Sequence, residues 1–151
     1  MLQFMTDQIV EASEFRQEQK CNITLMSTHL AAAQSTSKQM SCSKASIVMM
    51  SSRVGSQNVA FNDGPEASLS LHYKCSKSAL NMATIMISRE LKDNGILVFA
   101  LHPGWVKTKM GTDRAPLQPS DSIKSCLELI SAAGEDIHGR LVTIDGEVLP
   151  Y

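Results

Sequence analysis

A chain of 151 residues suits a single domain. With 43% hydrophobic and 19% charged residues and a formal net charge of -1, it has the composition of a soluble globular protein, with no basic footprint for nucleic acid and no acidic tail. No apolar run reaches the ~18 residues of a membrane-spanning helix, and Asp7, Glu11 and Glu14 interrupt any secretory signal core, so a cytoplasmic location is expected.

Residues 7–40 read as helical, one long helix or two joined near Cys21-Asn22. Ile9, Val10, Phe15, Ile23, Leu25, Met26, Leu30 and Ala33 follow a helical stripe imperfectly. Residues 35–45 are rich in Ser, Lys and Thr and predict a surface loop. Ser46-Ile47-Val48-Met49-Met50 predicts a short buried strand that ends at Ser51-Ser52. Residues 53–67 contain Gly55 and Asn62-Asp63-Gly64-Pro65 without periodicity, and read as an active-site loop. A helix is predicted over 68–92, capped by Ser68 or Ser70 and stopped at Asn94-Gly95. Ile96–Leu101 predicts a second strand that runs into His102-Pro103-Gly104-Trp105-Val106-Lys107-Thr108. An irregular stretch reaches Pro119, and Ser120 or Ser122 is expected to cap a helix to about Ala133. Residues 139–146 predict a final strand and turn. Alternating strands and helices imply an α/β fold with a parallel sheet and right-handed crossovers.

The chemistry concentrates at Tyr73-Lys74-Cys75-Ser76-Lys77. Residues four apart on a helix share a face, so the Tyr73 phenol and the Lys77 ammonium are expected side by side. A cation beside a phenol favours its phenolate, which turns a poor acid–base group into a usable one. Ligands of open parallel sheets bind beyond the carboxyl ends of the strands. That rule puts Ser51-Ser52, Tyr73 and Pro103-Gly104 on one rim. The four cysteines show no Cys-x-x-Cys pairing and read as reduced thiols. The four histidines lack ligand spacing, and no metal site is expected. Trp105 and the nine methionines read as packing residues. Leu80, Ala83, Ile87 and Leu91 read as core or dimer-face positions.

A strand ending in serines, a helix with Tyr-x-x-Ser-Lys, and a strand leading into Pro-Gly-x-Val-x-Thr together resemble the C-terminal portion of the short-chain dehydrogenase/reductase family. The run Leu101–Thr108 is similar to that of the Sniffer-like and C-factor-like carbonyl reductases, and Lys109 stands where that branch tends to show an acidic residue. The resemblance implies a catalytic set of Ser52, Tyr73, Lys77 and Asn22. It implies cofactor contacts from Tyr73, Lys77, Pro103, Gly104, Val106 and Thr108, NADP or NAD as cofactor, and a small carbonyl or alcohol as substrate. Asn22 lies in Asn22-Ile23-Thr24-Leu25, without the glycine that often follows in the family. The resemblance also implies that helices such as 7–40 and 68–92 form a homo-oligomer bundle.

The family opens with a Gly-x-x-x-Gly-x-Gly turn at a helix N-terminus that receives the cofactor pyrophosphate. The first glycine here is Gly55. The expectation is therefore the C-terminal part of a doubly wound Rossmann-like parallel sheet, with the N-terminal nucleotide-binding half missing, roughly 80–100 residues at ~30 per βαβ unit. Residues 1–151 would form one partial domain. Two readings remain: a carbonyl-reducing oxidoreductase by lineage, or a truncated, inactive paralogue, splice product or incomplete gene model acting through protein contacts. The chain as written is expected to bind NAD(P)H poorly.

Overall fold

The computed structural model describes residues 40–62 and 71–151. Asn22, the helix read over 7–40 and the caps Ser68 and Ser70 lie outside them. The described residues build an α/β unit around a four-stranded sheet of β1 (Ser46–Met50), β2 (Leu97–His102), β3 (Leu141–Thr143) and β4 (Val148–Leu149), in that spatial order. β1, β2 and β3 are parallel, in register from Ser46↔Leu97 to Met50↔Leu101 and from Ala100↔Leu141 to His102↔Thr143. β4, which sequence reading did not anticipate, folds back antiparallel to β3 through a turn at Gly146. A two-residue strand is too short to carry an alternation signal.

Among the described residues three helices flank the sheet: α1 (Gln57–Asn62), α2 (Leu71–Leu91) and α3 (Pro119–Ala132). Helical structure between 53 and 62 corrects the reading of 53–67 as an irregular loop. Two serines explain it. Ser52 caps a 3-10 turn over Arg53–Gly55, its Oγ accepting from Val54 N. Ser56 Oγ accepts from Val59 N at 3.0 Å and donates to the Pro150 carbonyl, which stitches α1 to the chain's last residues. α2 ends as expected, with Gly95 left-handed at φ 69 after a 3-10 turn over Lys92–Asn94. α3 begins with Pro119 in its first turn, where a missing N–H costs nothing, and Gln118 precedes it without a side-chain cap. The expected caps Ser120 and Ser122 lie inside the helix instead.

The two faces of the sheet are built differently. Leu97, Phe99 and Leu101 of β2 point toward α3 and pack with Met40, Cys126, Ala133, Ile137 and Val142. Val98, with Ile96 and Ala45 beside it, points toward α2, where Leu91 and Ile87 cover it. This alternation is the strand period of two. Further along α2 the residues most buried are Asn81, Thr84 and Ser88, and Leu80 and Ala83, read as core or dimer-face positions, are half-buried. Thr84 Oγ1 donates to Leu80 O and Ser88 Oγ to Ile85 O, so both hydroxyls are satisfied within the helix. Met50, Met82, Met86 and Met110 are exposed, and Trp105 is 53% exposed, so the expectation that they serve as packing residues fails for these five. His138 fills a structural place. Its Nδ1 accepts from Val98 N, and its Nε2 meets the Ser88 carbonyl at 2.9 Å, which ties α2 to β2. Among the described residues no group of ligands could hold a metal ion, and no helix is long and apolar enough to cross a membrane.

Candidate active site

α2 runs antiparallel to the parallel strands. Leu91 packs near their starts, beside Ala45 and Ile96, and Lys77 lies at their carboxyl ends. The Lys77 ammonium donates to the Met50 carbonyl, the last of β1, at 2.7 Å. It also stands 5.6 Å from the centroid of the Tyr73 ring, so phenol and ammonium share one helix face. Among the described residues the Tyr73 hydroxyl makes no hydrogen bond, and the side chain is half-buried.

The two serines after β1 part company. Ser51 Oγ donates to Asn81 Oδ1 on α2, a buried contact that locks Ser51 into the scaffold. Ser52 Oγ only accepts, from Val54 N at 3.4 Å, so its own proton stays available to an incoming oxygen. The turn that follows presses against α2. A Cβ on Gly55 would stand 2.7 Å from the backbone carbon and the Cβ of Lys77, a distance that only glycine permits. Ser78 Oγ closes the same contact by donating to Gly55 O at 2.8 Å.

The third element is the end of β2. Ser51 N donates to Leu101 O at 2.8 Å, which carries the sheet ladder one residue past β1. Pro103 O accepts from Ser122 Oγ of α3 at 2.7 Å, and Gly104 adopts φ 82. A side chain at Gly104 would be strained by that φ and would meet Leu117 Cδ1 at 2.4 Å. Beyond it, Lys107 N donates to Leu117 O and Leu117 N to Trp105 O, which pins Val106 beside Leu117. The Trp105 indole N–H donates to Gly111 O. Thr108 Oγ1 accepts from Gly111 N at 3.0 Å. Lys107, Thr108, Lys109, Thr112 and Asp113 line an open cavity of about 510 Å³.

His102 sits beside Ser51 at this rim. Burial, reinforced by the Arg53 charge and partly offset by Asp145, lowers its pKa from 6.5 to about 4, so the ring is neutral. Tyr151 is pushed up to about 12 by burial, against a smaller opposite effect of Arg140, and donates to Gly139 O.

Tyr73, Lys77, Ser52 and the Pro103-Gly104 turn thus gather at the carboxyl edge of the parallel strands. Four contributors escaped the sequence reading: the Met50 carbonyl, Gly55, Asn81 and Ser122. Asn81 had a signal, since it follows Lys77 by one helical turn and continues the Tyr73–Lys77 face. The Met50 carbonyl and Ser122 had none, because both act through contacts distant in sequence.

The family model for short chain dehydrogenases matches residues 4–118. The chain is 34% identical over 105 residues to C-signal of Myxococcus xanthus, a match covering 70% of this chain and 60% of that protein. It superposes on the carbonyl reductase Sniffer of D. melanogaster with a TM-score of 0.72 at 37% identity, covering 87% of this chain and 50% of that one. On the NADPH-bound carbonyl reductase from chicken fatty liver the TM-score is 0.68 at 33% identity, with 81% and 46% coverage. The chain therefore spans 60% of its curated relative and about half of these two reductases. It belongs to the short-chain dehydrogenase/reductase family, as a Sniffer-like member whose sheet is part of the family's Rossmann-like fold.

Proposed function

We propose that this chain carries the proton-transfer half of an NAD(P)-dependent carbonyl reductase, and that residues 1–151 are one partial domain. The observation that carries the reading is the Lys77 ammonium beside the Tyr73 ring and bonded to the strand-end Met50 carbonyl. That bond holds the phenol–ammonium pair next to Ser52. The Pro103-Gly104 backbone, bare of a Cβ at Gly104, and the Thr108 hydroxyl supply the close-approach surface and polar groups that a nicotinamide and its neighbouring phosphate require, so the residues present fit the cofactor. When bound, it would supply the hydride. Tyr73 protonates the developing alkoxide as general acid, and accepts that proton in the reverse, oxidative direction. Ser52 donates its free proton to the same oxygen and stabilises the charge as it forms. Lys77 would bond the nicotinamide ribose, and Asn22 feeds the proton relay. NADP is favoured over NAD by the NADPH-bound relative, and the substrate class is a small carbonyl or alcohol.

The test is a chimera in which the nucleotide-binding half of the fly carbonyl reductase precedes this chain. It is expected to oxidise NADPH in the presence of a small carbonyl, and Tyr73→Phe is expected to lower turnover by ~10²–10⁴-fold while leaving NADPH affinity largely unchanged. Unchanged turnover in that variant ends the reading. The 151 residues alone are expected to bind NADPH poorly, because nicotinamide-side contacts leave most of the ligand in water.

A second reading, a role through protein contacts alone, draws on the exposed Leu71, Met82 and Met86 of α2, which form an apolar stripe at helical spacing. A chimera that binds NADPH but never turns over would favour it.

A further inference from the structure

Two side-chain atoms on the α2 side of the sheet are buried without a hydrogen-bond partner: Nδ2 of Asn81 and Nδ1 of His102. Asn81 is 3% exposed, and its Oδ1 is already taken by Ser51 Oγ. The carboxamide is therefore oriented, with its N–H donors turned away from Ser51. His102 is the cross-strand neighbour of that same serine. The β1–β2 ladder ends at Met50↔Leu101, and Ser51 N reaches the Leu101 carbonyl, so Ser51 and His102 are the next pair. By the strand period His102 continues the row of Val98, which α2 covers, and Ala100, which packs with Leu141 and Leu149 on the same face. A buried donor and a buried acceptor thus flank one serine.

A dry orphan of either kind is costly, and one water between them satisfies both. We infer that a single buried water accepts from Asn81 Nδ2 and donates to His102 Nδ1, closing a chain Ser51–Asn81–water–His102. This chain links the Tyr73–Lys77 helix to the strand end that carries Pro103-Gly104. Asn81 and His102 are then positioning residues, a role that rests on the reductase reading, whereas the water link does not. The link requires a neutral His102 with its proton on Nε2. Burial and the Arg53 guanidinium on the adjoining turn favour the neutral ring, and Asp145, beyond β3, opposes them more weakly.

Nitrogen-15 NMR of the histidine side chains in the full 151-residue chain tests the link without any turnover. His102 is expected as the Nε2–H tautomer above pH 6, with cross-relaxation between the Asn81 amide protons and a long-lived water. Asn81→Asp replaces the donor by an anion and is expected to raise the His102 titration midpoint by about one unit or more. His138, held instead by Val98 and Ser88, is expected to stay unchanged in the same spectra and so reports that the fold survives. An Nδ1–H tautomer of His102, or a midpoint indifferent to Asn81→Asp, overturns the link. In the chimera, Asn81→Leu is expected to lower kcat by about tenfold or more with little change in KM, and Asn81→Ser to recover part of it. An unaltered kcat with an intact NMR link removes the positioning role alone.

Discussion

The two faces of the sheet divide the work between stability and chemistry. On the α3 face, Leu97, Phe99, Leu101 and Val142 are completely buried among other apolar side chains. On the α2 face the apolar packing comes in two patches, one near the strand starts around Val98 and Leu91 and one around Ala100, Leu141 and Leu149. It gives way to Asn81, Thr84, Ser51 and His102 toward the carboxyl ends. A helix that must deliver Tyr73 and Lys77 to the strand ends presents a polar stripe, Tyr73–Lys77–Asn81–Thr84–Ser88, at spacings of four and three. Its buried members are held by Ser51 at Asn81 and by bonds within the helix at Thr84 and Ser88, Lys77 reaches the Met50 carbonyl, and the Tyr73 hydroxyl is left without a bond among the described residues.

The largest effect that would break this comparison is expected at the apolar face. Phe99→Ala should destabilise the protein by ~3–5 kcal/mol, read as a drop in denaturant midpoint, since the cavity has no polar lining for water to use. A loss below 1 kcal/mol would mean that this face does not carry the core. At the junction with the site, Gly55→Ala forces the Ser52 turn away from Lys77 and should cost about 1–3 kcal/mol. It should also impair turnover of the chimera, whereas Phe99→Ala lowers stability first. Equal damage from both variants to stability and none to turnover would show that the turn does not set the site.

The polar face should also announce itself by pH. His102 titrates near 4 in the folded chain against 6.5 ordinarily, so its contribution is complete above about pH 6.5. Between 6.5 and 4 the unfolded chain takes up a proton that the folded site refuses, and stability falls. Comparing the denaturation midpoint from pH 7 to 4 with that of His102→Gln isolates the effect. A variant curve parallel to the original would remove it. The smallest change is expected from Thr84→Val. The lost hydroxyl bonded only to the carbonyl of Leu80 in its own helix, so the shift should stay within about 1 kcal/mol by thermal unfolding. A larger loss would reveal a partner across the sheet.

What could be read from the residues and what could not follows the range of the forces involved. β1 and β2 were legible to within a residue because a short apolar run bounded by serines or by Pro-Gly needs nothing beyond local pattern. α2 was legible because Gly95 stops it in a left-handed turn. Residues 53–62 were misread because their helicity comes from Ser52 and Ser56 capping their own turns, a signal of two hydroxyls in a stretch without periodicity. Of Leu80, Ala83, Ile87 and Leu91, read as core or dimer-face positions, Leu91 is buried and Ile87 packs beside it, while Leu80 and Ala83 stay half-buried. Close contact with the Gly55 turn and the Ser51–Asn81 bond favour the polar stripe instead.

The sequence by itself determined β1, β2, α2 and the strand–helix alternation, and the spacing that puts a phenol and an ammonium on one helix face. Each of these depends on interactions within a few residues. Tertiary structure alone decided that the Lys77 ammonium ends on the Met50 carbonyl and that Ser51, not Ser52, is tied into the scaffold. It also decided that Ser122 holds the Pro103 carbonyl. Those choices join groups tens of positions apart, and only packing the helices onto a twisted sheet brings such groups within hydrogen-bond reach.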